Sequence, residues 1–319
     1  MDNQTRFIAV GDLVANYYYD QSGNLSFIDG GSAKFNTVAN LAYLGNDTAV
    51  ISAAPSGIIG EMLIDGLTTL GVDTSRVILT KDSHRIGHFY PNGNAGYTGK
   101  KECPVCKRKT WNDSPNLSLS SVLGRIKSGD IIVLDNLKPE DLDIVLNTPA
   151  NEKVITISSR RCISRISFST LSRALIGKFE IIQLNNEVAK ELCKRFRAER
   201  IEYLFSRLRC KVLSITDVNK TTFLYRSPYG IIYKKQIQPD KYKLVGPCSD
   251  GYSELLLALF VDNYYATDNI VNAINLTLDS INQALPKILS SPGARGHLYS
   301  PYIPVKKELV CTCEDLSIR

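Results

Sequence analysis

Short continuous apolar runs, spaced by stretches of helical period, set the pattern of this chain. FIAVG (7–11), TAVIS (48–52), DIIVLD (130–135), KVITIS (153–158), FEIIQLN (179–185) and KVLSIT (211–216) are apolar on successive residues rather than on alternate ones. Strands read this way when both faces of a parallel sheet are covered. Between them, Val38, Leu41, Ala42 and Leu44 fall on one helical stripe, and Gly45 supplies the left-handed residue that closes many helices. Leu63, Leu67 and Leu70 repeat the device, with Gly71 at the stop. Strand, helix and strand in repetition predict an α/β fold: a doubly wound, mostly parallel sheet flanked by helices. The 319 residues fit a single domain of that kind.

Two regions break the rhythm. Residues 84–117 are rich in Gly, Asn, aromatics and Lys and hold no helical period, which predicts short strands and turns projecting from the sheet as a lid. Residues 293–319 read as a C-terminal extension laid over the domain rather than as another helix.

Composition narrows the class. Hydrophobic residues at 44% and charged residues at 22% are ordinary for a soluble globular protein. No stretch approaches the roughly 20 apolar residues needed to cross a bilayer, so no membrane partner is expected. The start, MDNQTRFIAVGD, lacks the long apolar segment of a secretion signal, and a cytoplasmic location is expected. The formal charge of +6 is spread along the chain except for KRFRAERIEYLFSRLRCK (194–211). Glutamates among the bases, and Leu204 and Leu208 four apart, predict the solvated face of a helix and no nucleic-acid partner.

Four stretches in order carry a family likeness: GGSAKFNTVANLAYLG (30–45), SGIIGEMLIDGLTTLGVDTSRV (56–77), FEIIQLNNEVAKEL (179–192) and GPCSDGYSELL (246–256). Together they resemble the ribokinase-like (PfkB) family of carbohydrate and nucleoside kinases over most of the chain. The resemblance implies a ribokinase-like fold with a small β-lid, here approximately 12–30 and 84–117, over a sugar site. It also implies transfer of the ATP γ-phosphoryl group to a substrate hydroxyl. Asp250 matches the family's catalytic Asp, the general base, and the backbone of 247–251, with the amides of Cys248, Ser249 and Gly251, matches its anion hole. A helix start suits that chemistry, because free N–H groups and the positive dipole end favour a phosphate. Read from the residues alone, Asp250 is first of all a helix cap, and it is the resemblance that implies the catalytic role.

On the substrate side the resemblance points to Asn16, Gly30, Gly31 and Asn36. Asn16 stands where the family has Asp, and one extra residue separates the glycines from Asn36. Glycine's preference for tight turns explains Gly30 and Gly31 as well as ligand contact does. On the nucleotide side it points to Asn185, Thr216 and Lys220. Here the chain departs from the pattern. Pro247-Cys248-Ser249 replaces Gly-Ala-Gly, ISSRR (157–161) replaces Asp-Pro-Asn-x-Arg, and Asn185-Asn186-Glu187-Val188 replaces Asn-x-x-Glu. Glu187 lies one residue early, which turns a side chain about 100° around a helix.

The eight cysteines include CPVCK, with Cys103 and Cys106, and CTC, with Cys311 and Cys313. Two thiolates on one tight turn are a common half-site for zinc, and the second pair would complete a structural four-sulfur site; four free thiols are the alternative. The expected cofactors are thus ATP with Mg²⁺, and structural Zn²⁺. The expected partner is a small-molecule sugar or nucleoside, and the lid offers a surface for a homodimer. Three functions remain open: a carbohydrate kinase, a kinase-fold binding or scaffold protein that has lost catalysis, and a nucleoside kinase.

Overall fold

The computed structural model describes residues 5–80, 86–91, 97–110, 119–137, 139–217, 220–227, 229–238, 247–290 and 295–298. Its strands are β1 (Arg6–Asp12), β2 (Ala15–Tyr19), β3 (Leu25–Gly30), β4 (Asp47–Pro55), β5 (Asp73–Thr80), β6 (Ile86–Pro91), β7 (Tyr97–Lys100), β8 (Ile131–Asp135), β9 (Lys153–Ile157), β10 (Ile181–Asn185), β11 (Val212–Asp217), β12 (Lys220–Arg226) and β13 (Ile232–Ile237). The helices are α1 (Ala33–Tyr43), α2 (Ile58–Thr68), α3 (Leu119–Leu123), α4 (Pro139–Asn147), α5 (Arg160–Arg165), α6 (Phe168–Leu175), α7 (Asn186–Arg195), α8 (Ile201–Leu208), α9 (Pro247–Thr267) and α10 (Ile270–Ser290), followed by a 3₁₀ turn at Gly296–Leu298.

Nine strands form the large sheet in the order β13-β12-β11-β10-β9-β8-β1-β4-β5, parallel from β11 to β5, with an antiparallel β12–β13 hairpin at one edge. The continuous apolar runs follow from burial on both sides. Phe7 and Ala9 of β1 pack in one core with α1, α9 and α10, whereas Ile8 and Val10 enter the other core with α4 to α8. A second sheet, β3-β2-β6-β7, stands apart from the first and is built from residues 15–30 and 86–100. Among the described residues, no helix is long and apolar enough to cross a membrane.

The basic stretch 194–211 takes in the last two residues of α7, a turn and α8, rather than one helix. At the end of α7, Arg197 takes a left-handed φ of 50°. Its N–H donates to the Lys194 carbonyl at 3.2 Å and the Ala198 N–H to the Cys193 carbonyl at 2.8 Å, the hydrogen-bond pattern that terminates a helix. The chain restarts at Ile201 and buries Leu204 and Leu208.

Candidate functional site

Ligands of open α/β sheets bind beyond the carboxyl ends of the strands. In this chain that edge carries Asp12 of β1, Asp135 of β8, Asn185 of β10, and Thr216 and Asp217 of β11. The starts of α1, α7 and α9 join it there.

The start of α1 is fixed by the two glycines. Gly31 has a φ of +104°, a Cβ on it would lie 2.9 Å from Phe35 Cβ, and its N–H donates to the Val14 carbonyl at 2.7 Å. A Cβ on Gly30 would lie 2.1 Å from Leu63 Cδ2 and 2.9 Å from Arg295 Nη2. Close packing and turn geometry therefore account for both glycines without a ligand. Asn16 Nδ2 donates to the Gly31 carbonyl at 3.3 Å, so Asn16, Gly30 and Gly31 come together. Asn36 joins them, since a Cβ on Gly31 would lie 3.2 Å from Asn36 Oδ1; it is buried and its Nδ2 donates to Glu254 Oε2 of α9 at 3.0 Å.

Two residues before Asn36, Lys34 runs back under the site. Its ammonium lies 2.8 Å from Asp141 Oδ1 of α4 and 3.5 Å from Asp135 Oδ1, and all three side chains are at most 1% exposed. A Cβ on Gly11, whose φ is +136°, would lie 2.7 Å from Lys34 Nζ, so this glycine makes room for the ammonium above β1. The sequence reading missed the cluster. Its available signals were two acids around a strand end, in DIIVLD and PED, and a lysine in the first turn after the Gly-Gly.

The start of α9 is anchored from both sides. Gln183 Nε2 of β10 donates to the Ser253 carbonyl at 2.8 Å and to Ser253 Oγ at 3.0 Å, and Asn36 holds Glu254. Asp250 lies in the first turn of a helix whose first residue is Pro247, where a missing N–H costs nothing. Hydrogen bonding from residue i to i−4 leaves the amides of Cys248 and Ser249 without an acceptor in the helix. The Gly251 amide falls to the Pro247 carbonyl by the same rule, which removes it from the open donors expected at this helix start.

Asn185 and Thr216 pair directly across β10 and β11, and Lys220 pairs with Asp217 across β11 and β12, so the three expected nucleotide residues meet at one strand-end ledge. Asn185 caps α7: its Oδ1 accepts from the Val188 N–H at 2.8 Å while its Nδ2 donates to the Ser158 carbonyl at 2.6 Å. Thr216 Oγ1 donates to the Leu184 carbonyl at 3.2 Å. Val188, at the position of the family's Glu, is buried, and Glu187 is exposed and pairs with Lys190 at 3.0 Å. The carboxylate at this ledge is instead Asp217, which accepts from Asn186 Nδ2 at 3.1 Å. It too was absent from the sequence reading.

The inner face of the small sheet is aromatic. Tyr19 and His88 form a 2.7 Å hydrogen bond between the phenol oxygen and Nδ1, and Tyr19 stacks on Tyr90 with ring centroids 4.5 Å apart. His88 is 2% exposed, and burial pushes its pKa down to about 4. Burial also pushes the Tyr19 phenol well above its usual range. Cys103 is buried and Cys106 exposed at a hairpin tip beside this sheet. Cys311 and Cys313 lie outside the described residues, among which no group of three metal-ligating side chains occurs.

The large mostly parallel sheet, the flanking helices and the smaller sheet make this a ribokinase-like α/β fold. It is the fold of PfkB-family sugar kinases of known structure. A fructokinase from Vibrio cholerae, solved with fructose, ADP and calcium, matches with a TM-score of 0.67 at 15% identity over 93% of this chain and 96% of its own. A sugar kinase from Pyrococcus horikoshii, solved with ATP, gives 0.64 at 12% identity over 91% and 94%. An adenosine kinase from Sinorhizobium meliloti gives 0.63 at 12% identity over 89% and 94%. No family model matches the sequence, and no curated protein matches it.

Proposed function

We propose that this chain transfers the γ-phosphoryl group of ATP to a hydroxyl of a sugar or sugar-like small molecule. The observation that carries the reading is the start of α9: Asp250 sits in the first turn of a helix held between α1 and β10, at the carboxyl edge of the sheet. In this reading the substrate oxygen attacks the γ-phosphorus as its proton passes to Asp250, and ADP leaves. The amides of Cys248 and Ser249 hold the transferring group's oxygens, which suits a reaction that depends on positioning and charge stabilisation. Asn185, Thr216 and Lys220 hold the nucleotide. Mg²⁺ bound with ATP offsets phosphate charge, and Asp217, rather than Glu187, is the carboxylate near enough to the ledge to serve it. Asn16, Gly31 and Asn36 line the substrate side, with His88 and Tyr19 in the lid.

A second reading, a kinase-fold binding or scaffold protein without catalysis, draws support from buried Val188 in place of the acid. A thermal shift with millimolar Mg-ATP separates the two, because a ligand of the folded state raises its stability according to concentration over Kd. The kinase reading expects a rise of several degrees, then ADP release with one member of a panel of sugars and nucleosides. Asp250→Asn is expected to keep the shift and lose turnover by at least 10³-fold, on the order of one essential catalytic group. The absence of any shift, or unchanged turnover in that variant, refutes the assignment. A nucleoside as the accepted substrate selects the nucleoside kinase.

A further inference from the structure

We propose that the cavity at the amino end of β11, across the sheet from the candidate active site, binds a small aromatic anion of nucleotide size: a planar ring that carries a phosphate or a carboxylate. The proposal does not rest on the kinase reading.

Strand register fixes the place. Val212, the first residue of β11, pairs with Tyr225 of β12, and Tyr225 pairs in turn with Tyr233 of β13. Thr216 lies toward the other end of β11, so about 13 Å of strand separates this cavity from the ledge formed with Asn185. The cavity has a volume of ≈ 970 Å³ and is walled by the end of α8, the β12–β13 hairpin and the turn from α9 into α10. That volume is at the upper end of small-molecule sites and has room for a nucleotide.

One part of the lining is aromatic. The rings of Tyr225 and Tyr233 stack with centroids 5.6 Å apart and planes 20° apart, and Tyr233 is still 45% exposed, which leaves ring surface for a further planar group. Tyr264 of α9 adds a third ring. Burial pushes the phenols of Tyr225 and Tyr264 up, so both keep a proton to donate to an anion.

The charge of the lining is positive. Arg209, Lys211 and Arg226 stand against one acid, Asp268. Lys211 is already paired with Glu180 at 2.8 Å. Among the described residues no carboxylate forms an ion pair with either arginine. Arg226 instead lies over the Phe205 ring, 5.2 Å from its centroid. A ring orients a guanidinium without cancelling its charge, and the planar fork is left to take two oxygens of a phosphate or carboxylate. Arg209 closes α8 with a φ of 56°, at the kind of helix end where glycine is the usual residue. It is exposed, so packing does not account for an arginine there, whereas an anion does. The start of α10 is already capped, since Asn269 Oδ1 accepts from the Val271 and Asn272 N–H groups at 3.0 and 3.1 Å. The anion therefore falls to the arginines and the ring to the tyrosines.

The test is isothermal titration of the full chain with AMP, indole-3-acetate and inorganic phosphate. Saturable binding of AMP or indole-3-acetate is expected, and the tighter of the two tells a phosphate-bearing from a carboxylate-bearing ligand. Inorganic phosphate, which has no ring, should bind at least about tenfold more weakly than the tighter probe. Arg209→Gln/Arg226→Gln should weaken that probe by about tenfold or more, on the order of its lost charge-assisted hydrogen bonds. Tyr233→Ala, which removes a half-exposed ring, should weaken it about tenfold with unchanged circular dichroism. Lys220→Gln, at the opposite edge of the sheet, should leave it within about twofold. Binding that survives both pocket variants, loss in Lys220→Gln instead, phosphate binding as tight as that of the aromatic probes, or no binding of either aromatic probe at millimolar concentration each overturns the proposal.

Discussion

The Lys34–Asp135–Asp141 cluster gives the sharpest quantitative expectation. Lys34→Met keeps most of the side chain's volume and removes the ammonium that both carboxylates share, at 2.8 and 3.5 Å in a region at most 1% exposed. Removing one partner of a buried ion pair costs about 3–5 kcal/mol, because charge is left in a low-dielectric interior. For a domain of this size about 2 °C of Tm accompanies each kcal/mol, so the variant should melt roughly 6–10 °C lower. Urea unfolding should show a lower midpoint with an unchanged slope, which marks lost stability rather than a changed denatured state. Two controls give the measurement its meaning. Arg160→Ala breaks an ion pair whose arginine is 62% exposed and should cost less than about 1 kcal/mol. Lys34→Met combined with Asp135→Asn and Asp141→Asn should recover at least half of the loss, since neutral amides need no counter-charge. A Lys34→Met variant within about 1 kcal/mol of the parent would refute the cluster as a buried charge network.

Two further outcomes follow from the small sheet and the glycine turn. His88 has a folded pKa of about 4 against an ordinary 6.5, so the unfolded chain binds more protons between those values. Stability should therefore be full above pH 6.5 and fall by about 3 kcal/mol as pH drops to 4, and His88→Gln, measured by urea titration across that range, should flatten the slope. A variant with the parent's pH slope would rule out this histidine as its source. Gly31→Ala forces a Cβ onto a backbone with φ of +104° and 2.9 Å from Phe35 Cβ, and should cost about 1–3 kcal/mol by thermal denaturation; a neutral result would mean that the turn is not strained.

The apolar runs made β1, β4, β8, β9, β10 and β11 legible before any coordinates, because burial on two faces leaves an unbroken signature along a strand. Charge does not carry its destination in the same way. Lys34, Asp135 and Asp141 are scattered over 107 residues of chain and look like surface residues until the sheet brings them together. Asp217 likewise becomes relevant only through its register beside Asn185 and Thr216. The stretch 185–188, read for its resemblance to Asn-x-x-Glu, is a helix start capped by Asn185, and the side chain at its fourth position is core, where Val188 both packs and donates its amide to the cap. Local pattern locates such a turn, whereas the face each residue presents is decided by packing from distant parts of the chain.

The way β1 runs into β2 limits how this molecule can move. Leu13 and Val14, the whole connection, are buried and tied down, the first by its N–H on the Ala53 carbonyl and the second by its carbonyl under the Gly31 N–H. A free pivot has no place to sit there. A swing of the small sheet about this junction would have to break those two hydrogen bonds or bend β1, an interior strand of the large sheet.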